Sequence, residues 1–208
     1  MASTPAPDRG SLTAHFALLL DAPRSGAVKP RLAAEVGDQH ALRLYRIVAA
    51  RVLNAIRATG HPVTVWYAPA DSGPEMIRWL GQDTDLRLQA SGDPGARLAA
   101  AARAAANGDL WLMVAGDCPG ITTALLDQAL ALLDEWPVIL GPSPDGGYYL
   151  LGGRAPLPEL FTDIPWGTDR VLDETRRRLQ TAGVRWTELP LLRTVHSATD
   201  ARAAGLLT

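Results

Sequence analysis

The chain has 208 residues, 47% hydrophobic and 20% charged, with a formal net charge of −2 at pH 7. That length and balance predict one domain that buries a core without a disulfide or metal staple, and exclude a disordered chain or a coiled coil. The charge leaves no basic surface for nucleic acid or an anionic membrane. Near the start, the longest apolar stretch is Phe16–Leu20, far short of the ~20 residues of a membrane span. A single cysteine, Cys118, fits a reducing cytoplasm. Of the 20 basic residues only one, Lys29, is lysine; such a residue can mark a place where a compact ammonium is not replaceable by a planar guanidinium.

Residues 1–11 are rich in Pro, Ser and Asp and read as a flexible terminus, with residues 12–208 as one domain. His15–Leu20 reads as a first strand, followed by a Gly- and Pro-bearing loop from Asp21 to Pro30. Gln39–Thr59 carries the longest helical pattern, and Val63–Ala68 reads as a second strand. A short helix near Glu75–Leu80 and a strand at Leu86–Gln89 follow. Ala96–Ala106 is nearly all Ala and Arg, a strong helix former closed by Asn107-Gly108. Leu110–Ala115 is an uninterrupted apolar run, as expected of a strand buried on both faces. Thr122–Glu135 is an amphipathic helix; Val138–Leu140 and Tyr148–Leu151 are strands. A helix over Thr168–Ala182 and a strand over Val184–Leu189 complete the pattern. Alternating strands and helices predict a Rossmann-like α/β fold of about seven strands, mostly parallel, with helices on both faces.

In such sheets ligands sit beyond the carboxyl ends of the strands, so the loops there carry the chemistry. The first, after β-strand one, holds Gly26, Lys29 and Arg31, which suit phosphates. It lacks the Gly-Lys-Ser/Thr ending of a P-loop, and a merely solvated basic loop is the plain alternative. The second, Gly116-Asp117-Cys118-Pro119-Gly120, places a carboxylate directly after a buried strand. Such a group suits a divalent cation whose other positions go to phosphates and water; helix capping is the competing role. In the third, Asp145-Gly146-Gly147, two glycines allow a ligand to approach the backbone beside an acid. A tight hairpin turn explains the same residues.

With these loops in place the sequence resembles a small bacterial family of GT-A-like transferases, often found near radical-SAM genes and labelled arsenosugar-biosynthesis glycosyltransferases. Gly26-Ala-Val-Lys29-Pro-Arg31-Leu32 matches that family's Gly-x-Val-Lys-Thr-Arg-Leu except at Pro30. Gly92-Asp93-Pro94-Gly95-Ala96-Arg97-Leu98 corresponds to its Gly-Asp-Leu-Gly-x-Arg-Met. Gly116–Gly120, Gly141–Gly152 and the run from Leu160 through Trp166 to Thr168 match as well. Two positions depart. Asp21 stands where similar proteins carry lysine, and Thr194-Val195-His196 stands where they carry Asp-Val-Asp. The second acid of that trio helps to hold the metal in related enzymes, which makes His196 a candidate substitute ligand; imidazole suits Mn²⁺ better than Mg²⁺.

The resemblance implies a GT-A, nucleotide-diphospho-sugar transferase fold and a metal-dependent glycosyltransferase acting on a nucleotide-sugar and a small-molecule acceptor. It implies a divalent cation, Mn²⁺ or Mg²⁺, on Asp117 and His196, and phosphate neutralisation by Lys29 and Arg31. Arg97, Gly146, Gly147, Trp166 and Thr168 would contact substrate, and Asp145 would take the acceptor's proton. A nucleotidyltransferase that releases pyrophosphate shares these features, but usually carries a longer glycine-rich first loop than the single Gly26 here. A non-catalytic nucleotide-binding protein is the third reading, motivated by Asp21 and His196.

Overall fold

Phe16, Leu18 and Leu20 alternate along the first strand with Ala17 and Leu19, and each set meets a different layer of helices. The computed structural model describes residues 12–106 and 109–207; the flexible terminus expected at 1–11 and the helix end expected at Asn107-Gly108 lie outside them. Seven strands are present: β1 (Ala14–Asp21), β2 (Val63–Ala68), β3 (Asp85–Leu88), β4 (Leu110–Ala115), β5 (Val138–Pro142), β6 (Tyr148–Gly153) and β7 (Trp186–Glu188). They form a single sheet in the order β3-β2-β1-β4-β6-β5-β7.

Helices cover both faces. On one side lie α2 (Asp38–Arg57), α3 (Gly73–Leu80) and α5 (Thr123–Leu132), which meet Phe16, Leu18, Leu112 and Val114. On the other lie α4 (Pro94–Ala105) and α6 (Val171–Thr181), packed on Ala17, Trp111, Met113 and Leu151. Full burial of a residue such as Leu18, Leu112 or Ile139 contributes roughly 2 kcal/mol. Two short helices absent from the sequence reading, α1 (Pro30–Val36) and α7 (Ala198–Ala203), pack on each other through a separate apolar cluster. Among the described residues no helix is long and apolar enough to cross a membrane.

The expectation of a mostly parallel sheet is corrected. The sheet is mixed, because β6 runs antiparallel to both β4 and β5. Only residues 143–147 separate β5 from β6, and a parallel pair needs a crossover of a dozen residues or more. The reversed strand begins at the edge where β1 and β4 end, with Val114 opposite Leu150. The loop before β6 therefore faces the loop after β4, and Asp145 is brought toward Asp117 by strand direction alone.

Candidate active site

From β1 the chain passes to β2 on one side, while β4 pairs with β1 on the other. Connections part at that point and leave a crevice beyond the strand ends. A cleft of about 870 Å³ opens there, lined among others by Asp21, Lys29, Arg31, Asp117, Asp145 and His196.

Lys29 sits in the left-handed region (φ 51°, ψ 55°) directly before Pro30 starts α1. That conformation costs a non-glycine residue about 1–2 kcal/mol. It is offset by an ion pair, in which the Lys29 ammonium donates to Asp117 Oδ2. Side-chain exposures of 13% and 20% keep this pair largely out of water. The Asp117 carbonyl accepts from the Val195 N–H at 2.9 Å, which ties the C-terminal segment to the β4 loop and sets His196 over the site. His196 Nε2 lies 3.1 Å from Asp145 Oδ2 and 3.8 Å from Asp117 Oδ2.

Asp145 is the most strongly stabilised carboxylate of the cleft. The His196 imidazole holds its carboxyl far below the usual range, against some opposing burial. The Gly147 N–H donates to Oδ1 at 3.0 Å and the Thr194 hydroxyl to Oδ2 at 3.0 Å. Ser143 Oγ lies 3.1 Å from Thr194 Oγ1 and extends the same network. A hydroxyl at 194, where similar proteins carry an acid, satisfies Asp145 instead of repelling it. Across the cleft, burial raises the carboxyl of Asp21, with Arg97 and Lys29 opposing. The Asp21 backbone is clamped by Tyr45, whose hydroxyl accepts from its N–H at 3.0 Å and donates to its carbonyl at 2.8 Å. Burial pushes the Cys118 thiol up to about 12, which leaves no thiolate for chemistry near neutral pH.

Lys29, Arg31, Asp117, Asp145, Gly147, Trp166, Thr168 and His196, drawn from distant parts of the sequence, all line this one cleft. Three expected contact residues do not. Gly26 lies in an exposed turn with φ +75°. Arg97 donates to the Gly92 carbonyl at 3.2 Å and influences the site only through its charge on Asp21. Gly146 serves packing: its carbonyl accepts from Leu172 at 2.8 Å, and a Cβ there would stand 2.0 Å from the Asp169 carbonyl oxygen. Thr168 spends its hydroxyl on the Pro165 carbonyl at 2.7 Å. Trp166 meets Tyr148 edge-on, with ring centroids 6.4 Å apart. Tyr45 escapes the sequence reading because one buried tyrosine on a helix face carries no motif, and Ser143 and Thr194 enter it only as positions of compared segments, without a role.

Among the described residues, no group of three His, Cys, Asp or Glu side chains is set out to hold a metal ion. The expected pair, Asp117 and His196, offers one carboxylate and one imidazole, with the carboxylate oxygen shared with Lys29. Those donors fit in kind an ion that takes one or two protein ligands and completes its shell with phosphate and water.

A mixed seven-stranded sheet with this crevice is the fold of nucleotide-sugar and nucleotidyl transferases. Residues 51–168, more than half of the chain, match a family described as an uncharacterized protein conserved in bacteria (DUF2064), and the chain belongs to that family. The structure is similar to that of a protein from Desulfovibrio desulfuricans G20 assigned as a nucleotide-diphospho-sugar transferase. The two are 28% identical with a TM-score of 0.87, over 91% of this chain and 84% of that one. It also shares its fold with Rv0371c of Mycobacterium tuberculosis H37Rv in complex with manganese (18% identity, TM-score 0.59, 94% and 98% covered). A nucleotidyl transferase from Methanothermobacter superposes with a TM-score of 0.57 at 21% identity, over 93% and 96% of the two chains. No curated protein matches the sequence significantly.

Proposed function

We propose that the protein is a metal-assisted glycosyltransferase that moves a sugar from a nucleotide-diphosphate donor to a small hydroxylated acceptor. The observation that carries this reading is the meeting of Lys29, Asp117, Asp145 and His196 at the carboxyl ends of β1 and β4. The barrier in sugar transfer lies in parting an anionic diphosphate from an electron-poor anomeric carbon. Lys29 and Arg31 bind the diphosphate and stabilise the charge that grows on it. Asp117 and His196 would hold a divalent cation, which when bound would supply Lewis-acid stabilisation of the leaving phosphates. Trp166 walls the sugar or base, and Asp145 receives the acceptor's proton. As it stands Asp145 is a weak base; its basicity rises when His196, its largest stabiliser, turns to another partner.

The sugar-transfer reading is favoured over nucleotidyl transfer by the single glycine of the first loop and by the likeness to the Desulfovibrio protein, the only one of the three relatives above 25% identity. Thermal melting with Mn²⁺ or Mg²⁺, against nucleotide sugars and nucleoside triphosphates, tests it. A ligand at about 100 times its Kd adds about 2.7 kcal/mol, a shift of roughly 5–10 °C at this length. The expected outcome is a metal-dependent shift with one nucleotide sugar, abolished in Asp117→Ala and reduced in His196→Ala. A shift with triphosphates alone would move the assignment to nucleotidyl transfer. No metal-dependent shift would sink both.

A further inference from the structure

A second cavity, of about 560 Å³, lies on the far side of the Asp145–His196 pair. Its walls come from α1, from the loop before β6 and from the segment that leads into α7. Arg31, Asp145 and His196 line both cavities, so these three side chains form a shared partition. Asp145, the carboxylate assigned to the acceptor's proton, thus borders both spaces.

The two spaces differ in chemistry. The larger sits at the strand ends beside Tyr148, Tyr149 and Trp166, where a ring can stack. The smaller has the His196 imidazole as the one ring in its lining, and its only apolar residues are Ala34 and Pro144. It has no indole or phenol ring to stack a nucleobase and no large aliphatic side chain to pack a lipid. Its charges lean acidic: the two guanidinium groups of Arg31 and Arg193 stand against the three carboxylates of Glu35, Asp145 and Asp200, and Arg193 is already bound to Asp200 at 2.9 Å. A polyanion meets more carboxylates than guanidinium groups. What remains is a space of ligand size, lined by charged and hydroxyl-bearing side chains that include Ser143, Thr194 and Ser197.

We infer that this second cavity is the acceptor site, and that it takes a small neutral polyhydroxylated molecule, a sugar or polyol. The inference rests on the glycosyltransferase reading and specifies its other substrate. One acceptor hydroxyl reaches past the partition. Its oxygen forms the bond to the anomeric carbon, the bond from that carbon to the diphosphate oxygen breaks with its electron pair leaving on the diphosphate, and the hydroxyl proton passes to Asp145.

The test uses the nucleotide sugar that gives the largest thermal shift, with glycerol and a set of methyl glycosides as neutral probes and glycerol 3-phosphate as an anionic one. Release of nucleoside diphosphate is followed. Ala34→Trp plugs the second cavity from an exposed position on α1 and touches nothing in the main cleft. Ala34→Leu is a smaller plug, used if the tryptophan variant does not melt cooperatively. The expected result is release accelerated by at least one neutral probe, with the KM for that probe raised at least tenfold by the plug and the donor's thermal shift unchanged. Acceleration by glycerol 3-phosphate alone, by no probe, or with a KM indifferent to the plug overturns the assignment. Donor binding is measured without any acceptor, so its absence identifies a failure of the glycosyltransferase reading itself.

Discussion

Two glycines with positive φ separate conformational strain from steric contact. Gly183 (φ +65°) has open space where a Cβ would stand, whereas Gly146 (φ +81°) has the Asp169 carbonyl oxygen 2.0 Å away. Gly183→Ala should therefore cost about 1 kcal/mol, the left-handed penalty alone. Gly146→Ala should cost about 3 kcal/mol or more, because the backbone of the β6 loop must also move. Paired thermal melts check this, and equal losses would show that the contact to Asp169 does not matter. The same residue shows what the sequence can carry at this scale. Asp145-Gly-Gly was legible as a special turn beside an acid, but not whether its glycines face a ligand or a neighbouring backbone. Lys29 stood out as the one lysine, set in a glycine-bearing loop, Asp117 as an acid directly after a buried strand, and Asp145 as an acid beside two glycines. Tyr45 did not, since its work depends on a partner 24 residues away, and Thr194 showed only as a departure from the resembled family, not as a donor to a carboxylate 49 residues away.

At the scale of elements, α6 anchors the wall that carries Trp166 and Thr168. Arg178 donates through Nη1 to the carbonyls of Glu159 and Thr162 and through Nη2 to that of Asp163, while its Nε holds Glu174 at 2.8 Å. The guanidinium groups of Arg177 and Arg178 bring the Glu174 carboxyl down to about 2. A carboxyl lowered on folding adds stability above its unfolded value, near 4.5, and that contribution is lost as pH falls through the folded value. Glu174→Gln should thus melt below the parent protein at pH 7 and converge with it as pH approaches 2; a constant gap across that range would refute the linkage. Helix α6 was legible from its apolar spacing. α1 was not, because seven residues opened by a left-handed Lys29 and Pro30 read as the end of a loop. For α7 a cue existed in Ser197-Ala-Thr-Asp200, which forms a capping box, but its six residues lack the apolar run that usually completes the signal.

Across the whole molecule the sheet grades from its centre to its rims. β1, β4 and β6 are flanked on both sides by other strands, while β3 and β7 are edges of four and three residues. Amide hydrogen exchange should be slowest at Phe16–Leu18, Leu112–Val114 and Leu150–Leu151, and faster by orders of magnitude at Arg87 and Thr187. Uniform protection would contradict the gradation. The count of strands and their two-sided burial were legible, because apolar runs and amphipathic stretches alternate. The sense of β6 stayed open between the hairpin offered by Asp145-Gly-Gly and a parallel strand, since a buried strand shows the same apolar run in either direction. That missing fact is the one that brings the β4 and β6 loops together.

Lys29 is the one lysine of a chain with 19 arginines, and its ammonium lies at the floor of the main cleft. Apart from the amino terminus, amine-directed chemistry therefore has one address in this protein. Reductive methylation with ¹³C-formaldehyde would place one side-chain NMR reporter on the atom that grips Asp117, and an acylating reagent would silence the cleft while leaving every other side-chain cation intact. Methylation keeps the charge of the amine, so that ¹³C signal would follow the opening of the ion pair without a single substitution in the sequence.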